Sequence, residues 1–160
     1  MKKGFTLVET VIGLAVLALV VYGLSVFIVK GIEAWQLLRE RNILQIESRI
    51  AMSRMLDQVR GIPSTLEVTT MNSSAFSFYD HSGVSHTIRL GNGGTYYYLD
   101  LDGYSLSDNL TSDGLSFTYR NAAGNSAATA AELRSIRIAL KLSKGGEHFE
   151  LQSACRLRAP

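Results

Sequence analysis

The sequence predicts an α+β protein, with one long N-terminal α-helix packed on an antiparallel β-sheet. Three observations predict it. Residues 5–29 (FTLVETVIGLAVLALVVYGLSVFIV) hold 25 positions and a single charge, Glu9. Residues 32–59 then repeat apolar side chains mostly at spacings of three, four and seven. From Ala75 onward, short β-prone runs alternate with Gly- and Asp-containing turns.

The helix comes first. At ~1.5 Å per residue, residues 5–29 span a ~30 Å hydrocarbon layer. The run is longer than the h-region of a secretory signal peptide, and no small-residue cleavage site follows Val29, so it reads as a retained transmembrane segment. Lys2 and Lys3 precede it and place the N-terminus in the cytoplasm by the positive-inside rule, with everything after Lys30 outside. Beyond the membrane, Ile32, Trp35, Leu38, Ile43, Ile46, Ile50, Leu56 and Val59 form an apolar stripe, and Arg39, Glu40, Arg41, Glu47, Arg49, Arg54, Asp57 and Arg60 mostly fill the other faces. That periodicity predicts an amphipathic continuation of the same helix. Gly61 and Pro63 end it. The stripe residues Ile43, Ile46 and Ile50 are expected to form the contact with the sheet.

The remainder predicts strands at Ala75–Asp80, Val84–Leu90, Thr95–Leu101 and Leu115–Arg120, separated by turn chemistry at His81-Ser82-Gly83, Gly91-Asn92-Gly93-Gly94 and Asp113-Gly114. The clearest hairpin is the last. Ile136, Ile138, Leu140 and Leu142 alternate with polar or small residues, Lys144-Gly145-Gly146-Glu147 turns the chain, and Phe149, Leu151, Ser153, Cys155 and Leu157 alternate in turn. Period-two alternation means one wet and one buried face. Asn121–Ala131 (NAAGNSAATAA) reads as a mobile loop. A single cysteine, Cys155, forbids an internal disulfide, and about 100 residues beyond the helix suffice for a modest core.

Glu9 is the anomaly. A carboxylate in a membrane helix costs roughly 2–3 kcal/mol or more, so it is functional by default and needs a partner. Lys2 and Lys3 lie on the cytoplasmic side and Lys30 is ~30 Å away along the helix, so no partner within the chain is expected. If the chain were cut between Gly4 and Phe5, the new α-amine of Phe5, with a reference pKa near ~7.7–8.0, would be protonated and stand about one turn from Glu9. Between neighbouring subunits that pair would set axial register, a use of a buried ion pair better attested than stabilisation.

Lys2-Lys3-Gly4-Phe5-Thr6-Leu7-Val8-Glu9 followed by about 20 apolar residues resembles the processing signal of type IV prepilins and type II secretion pseudopilins. The resemblance implies cleavage after Gly4 by a prepilin peptidase, N-methylation of Phe5, and assembly guided by Glu9 through the N-terminal helices of other pilin or pseudopilin subunits. It implies a leader at 1–4, a transmembrane and assembly helix at 5–29, its amphipathic outer half at 30–61 and a β-rich globular domain at 62–160. It also implies a bacterial inner-membrane precursor whose globular domain is periplasmic or extracellular. The segments LSFTYRNAAGN, RSIRIALKL and FELQSACRLRAP resemble minor pilins and J-type minor pseudopilins. The membrane helix has no proline near its middle and the C-terminus has no disulfide loop, departures that favour a minor over a major subunit. The expected system is a type II secretion pseudopilus, with a type IV or competence pilus as the alternative and a non-polymerising single-pass sensor or adaptor as the other class.

Cleavage would change 16 basic and 14 acidic residues into 14 and 14, formally neutral. No nucleic-acid partner is expected of such a chain. No Walker loop, nucleophile elbow or zinc spacing is present, and no enzyme is expected. Asp100, Asp102 and Asp108, in the carboxylate-rich stretch ending at Asp113, are calcium candidates, against a structural turn at Asp102-Gly103; no other cofactor is expected. His81, His86 and His148 read as solvated turn and strand residues, Cys155 as a buried small hydrophobe, and Tyr96-Tyr97-Tyr98 as sheet packing with one ring turned outward.

Overall fold

The computed structural model describes residues 6–157. The expected cut between Gly4 and Phe5 lies outside the described residues. The chain divides into two units, one ending at Arg39 and the other beginning at Glu40.

Helix α1 runs Leu7–Arg60. Through the first unit every described side chain, from Thr6 to Arg39, is exposed. The run is long and apolar enough to cross a membrane. Gly61 ends α1 as expected, its N–H donating to the carbonyls of Asp57 and Gln58 at 3.2 and 3.0 Å, and Pro63 has no N–H with which to continue.

The second unit is built on one seven-stranded sheet, β1 (Val68–Met71), β2 (Ala75–Tyr79), β3 (Ser85–Asn92), β4 (Tyr97–Leu101), β5 (Tyr104–Arg120), β6 (Ser135–Lys144) and β7 (Glu147–Arg156). Spatial order follows chain order and every neighbouring pair is antiparallel. Two of its hairpins close through residues in the left-handed region: Asp102 and Gly103 (φ 55° and 87°) between Leu101 and Tyr104, and Gly145 and Gly146 (φ 59° and 85°) between Lys144 and Glu147. Two positive φ values in a two-residue loop match the right-handed twist of the strands they join. The expected α+β fold of one long helix with an antiparallel sheet is therefore observed, and the β6–β7 hairpin has the expected turn.

The sheet is larger than expected. A single 3₁₀ turn at Thr65–Glu67 leads into β1, and neither was anticipated. Strand β5 begins at Tyr104, not at Leu115, so Asp108 and Asp113 lie on a strand rather than in a loop. Register shifts at Tyr97/Leu99, Leu99/Asp100 and Leu110/Leu115 interrupt the pairing, and a bulge breaks the period-two pattern by which a strand shows in the sequence. The segment expected to be a mobile loop, Asn121–Ala131, is hydrogen-bonded: the Asn121 side chain accepts from the N–H groups of Ala123 and Asn125, both at 3.0 Å, and Ala127 is buried.

The helix face against the sheet also differs from expectation. The buried residues are Leu44, Ser48, Ala51, Met52, Met55, Leu56 and Val59, whereas Ile43, Ile46 and Ile50 are 38, 60 and 51% exposed. The buried face includes the small residues Ser48 and Ala51. These small side chains sit among the large residues Leu44, Met55 and Val59, which share one apolar core with Phe76, Phe78, Ile88, Leu99, Ile136, Ile138, Leu140 and Leu142. The Ser48 hydroxyl, wholly buried, donates to the Gln45 carbonyl at 3.0 Å. Ala51→Leu is expected to cost about 1–3 kcal/mol by overpacking, and Ile50→Ser less than ~0.5 kcal/mol as a surface change. Denaturant unfolding of both variants checks this, and the reverse ranking would restore the isoleucine face as the contact.

Candidate functional site

The first site is the start of α1. Thr6 occupies the N-cap position, its carbonyl accepting the N–H of Thr10 at 3.2 Å. Its hydroxyl accepts from the Glu9 N–H at 3.3 Å, while the Glu9 carboxylate accepts the Thr6 N–H at 3.2 Å. This reciprocal pair is a capping box, and it satisfies two donors that a helix start leaves open. The expectation that Glu9 finds no partner within the chain is thus corrected: Thr6 is in reach, and the spacing Thr6-x-x-Glu9 carries the signal in the sequence. Both contacts of the carboxylate use Oε2, and among the described residues Oε1 accepts nothing. A negative charge also suits this end of the helix macrodipole.

The second site is the exposed stripe in the other unit. Ile43, Ile46 and Ile50 line an apolar cavity of about 360 Å³ together with Glu47 and Leu106 of β5. Glu47 does not face it as a free charge, because Asn109 Nδ2 donates to both its carboxylate oxygens at 3.1 and 2.8 Å. Two residues before Ile43, Arg41 pairs with Glu147 at the tip of the β6–β7 hairpin. That tip fits against Glu40 so closely that a Cβ on Gly145 would overlap its carboxylate.

The calcium candidates do not converge. Asp100, with 3% of its side chain exposed, accepts from Arg89 Nε at 2.8 Å and from the Gly103 N–H at 2.7 Å. Asp102 accepts the Thr87 N–H and meets His86 Nδ1, both at 2.6 Å, and Asp108 accepts from the Ser105 hydroxyl. Among the described residues no group of three or more His, Cys, Asp or Glu side chains is arranged to hold a metal ion.

His86 is a second correction. Instead of standing in solvent, its ring is 17% exposed and bridges Asp102 on one nitrogen and Asp80 on the other, at 2.6 and 3.4 Å, with Phe78 packed beside it. Only a protonated ring donates to both carboxylates. The hydrogen bond to Asp102 raises the His86 pKa, burial opposes it, and Asp80 adds to the rise. Asp80 is lowered, first by the Val84 N–H it accepts and then by its other donors. Cys155 is a buried free thiol, as expected. Of the three tyrosines, Tyr96 is half exposed, and the rings of Tyr96 and Tyr98 stand where Cβ atoms on Gly93 and Gly91 would collide with them.

Residues 1–24 match the prokaryotic N-terminal methylation motif. The matched stretch contains Gly4, Phe5, Thr6 and Glu9. Nothing matches among curated proteins or among solved structures. A methylation-motif N-terminus on a long helix, with an antiparallel sheet after it, is consistent with the broad pilin and pseudopilin superfamily.

Thr6→Ala is expected to remove about 1 kcal/mol from the helix start and Thr6→Ser very little. Amide exchange at Leu7–Thr10 in micelles checks this, and equal protection in both variants would mean the box is idle. For His86, the folded pKa lies above the unfolded 6.5, so its stabilisation is complete below that value and is lost as pH rises through the folded pKa. Unfolding temperature should therefore fall from mildly acidic to mildly alkaline pH more steeply in the parent than in His86→Asn; parallel profiles would contradict the clamp.

Proposed function

We propose that the chain is a filament subunit of the pilin superfamily, cut between Gly4 and Phe5 by a prepilin peptidase, methylated at Phe5, and assembled through its N-terminal helix. The observation that carries this reading is the methylation motif continuous with an apolar helix whose one carboxylate, Glu9, keeps Oε1 without a partner among the described residues. A protonated α-amine on a neighbouring subunit is the complement that oxygen lacks. The exposed Ile43, Ile46 and Ile50 support the same reading, since an apolar stripe on the outer half of the helix suits burial against a neighbour's apolar helix. The role is structural and not catalytic.

Within the class, the absence of a mid-membrane proline and of a second cysteine favours a minor subunit. A type II secretion pseudopilus stands ahead of a type IV or competence pilus, on the resemblance of the C-terminal segments to J-type minor pseudopilins. Before assembly the precursor lies in the bacterial inner membrane with the β-rich domain outside.

The deciding experiment is intact mass and N-terminal sequence of the protein from cells with and without a prepilin peptidase. The expected product begins at Phe5 and is one methyl heavier, in the first cells alone. A chain beginning at Met1 in both would remove the amine from the scheme and leave an anchored sensor. In processed material, Ile46→Glu is expected to abolish incorporation into filaments while the domain stays folded, and normal incorporation would exclude the stripe from assembly.

A further inference from the structure

Strand β7 ends the sheet, and its sheet neighbour among the described residues is β6. Their pairing runs without a register shift from Ser135↔Arg156 to Lys144↔Glu147. A two-residue turn makes Lys144 and Glu147 a hydrogen-bonded pair, so in the alternating ladder Phe149, Leu151, Ser153 and Cys155 also bond to β6. The bond from the Leu157 N–H to the Arg134 carbonyl, 2.9 Å, continues that phase. The N–H and C=O groups of His148, Glu150, Gln152 and Ala154 therefore point away from the sheet. The opposite edge is blunted: β1 has four residues and a shift between Val68 and Thr70, a short and bulged strand that resists addition. β7 has ten residues, no proline and no bulge.

The flanking side chains supply the chemistry. On the outer face the register sets Arg120, Ser135 and Arg156 in one row, and Thr118, Arg137 and Ala154 in the next. With strands ~4.8 Å apart and same-face residues ~7 Å apart, the three arginines lie within about 10 Å of one another. All three are exposed. Among the described residues none of them pairs with a carboxylate, and Arg120 donates to the Gly124 carbonyl at 2.8 Å. On the helix side, Phe149 and Leu151 are half-buried, and a cavity of about 290 Å³ lined by Arg41, Leu44, Gln45, Glu147, His148 and Phe149 opens beside the start of the strand.

We infer that β7 is a strand-addition edge for an extended acidic segment of a partner polypeptide. The guest's backbone pairs with the open groups of His148 to Ala154. Its carboxylates beside Ala154 and Arg156 face Arg156 and, one strand further in, Arg137, at the end of β7 away from Glu150, and its alternate apolar side chains finish covering Phe149 and Leu151. A nucleic acid would use the arginines and leave the backbone edge and the apolar row idle. Two β7 strands pairing antiparallel about Ser153 would set Glu150 against Arg156, and self-association of the chain that the glutamate peptide does not displace would assign the edge to a second copy and overturn the inference. The inference stands on the sheet alone and does not rest on the filament reading.

The test uses the full chain in detergent micelles and a fluorescent ten-residue peptide, the length of β7, alternating valine and glutamate. A valine–lysine peptide and a single-stranded oligonucleotide of equal charge serve as competitors. Saturable binding of the glutamate peptide is expected, with slowed amide exchange at Glu150, Gln152 and Ala154. Arg137→Glu with Arg156→Glu should weaken binding about tenfold or more. Ala154→Pro, which deletes an N–H the fold does not use, should weaken it comparably. If the proline variant unfolds, the double charge reversal together with the exchange pattern carries the test. No binding overturns the inference. So does binding without amide protection, which is adhesion by charge, and so does tighter binding of the oligonucleotide at the same arginines, which assigns the patch to nucleic acid.

Discussion

The second unit depends on one face of α1, from Leu44 to Val59, closing the buried side of the sheet. A seven-stranded antiparallel meander buries one face and needs something to bury it against. One helix face supplies the cover, with the small residues Ser48 and Ala51 set among larger ones. Leu44, Met55 and Val59 share one apolar core with the phenylalanines of β2 and the isoleucines and leucines of β6. Polar contacts sit at the margins of this apolar seam. Asn109 holds Glu47 from β5, Arg41 holds Glu147 at the hairpin tip, and Gly145 lets that tip close on Glu40. These contacts fix where the helix lies on the sheet more than how strongly it is held, since exposed ion pairs contribute little.

Charge is distributed unevenly across the sheet. On β3 to β5 and the turns between β2 and β5, Asp80, Asp100, Asp102 and Asp108 are each engaged by a neighbour within the unit, by His86, Arg89, Ser105 or a backbone N–H. Such pairing is why these carboxylates, close in sequence, do not form a cation site: each one's lone pairs point at a different donor. At the far end of β5 to β7, three arginines share a face without an acid among the described residues. A chain near formal neutrality can thus present a locally basic surface, which net charge alone conceals.

Much of this was legible in the sequence, and the exceptions have physical causes. The helix and its stop at Gly61-Pro63 follow from hydropathy and backbone chemistry, which are local. The β6–β7 hairpin follows from unbroken alternation and two glycines, also local. Strand β1 and the first half of β5 were not legible, because four residues carry too little pattern and bulges scramble the longer strand. The capping box was written as Thr6-x-x-Glu9 but lay inside an apolar run that drew attention to the membrane instead. His86 gave no signal at all: its two carboxylates come from turns that only the sheet register brings together.

The choice of helix face is the most instructive difference. Ile43, Ile46 and Ile50 have the strongest apolar periodicity and the bulk expected of a core, yet the sheet takes the row beginning one residue later, at Leu44. One residue is a rotation of about 100° around the helix axis. The two rows therefore do not compete: a helix of this kind can lay one face on its own sheet and still hold a second apolar face free. A monomer gains nothing from three exposed isoleucines on an ordered helix, and hydration of that stripe disfavours it. The isoleucines stand where a second helix could approach without displacing the sheet, which is the arrangement that the proposed assembly through α1 requires.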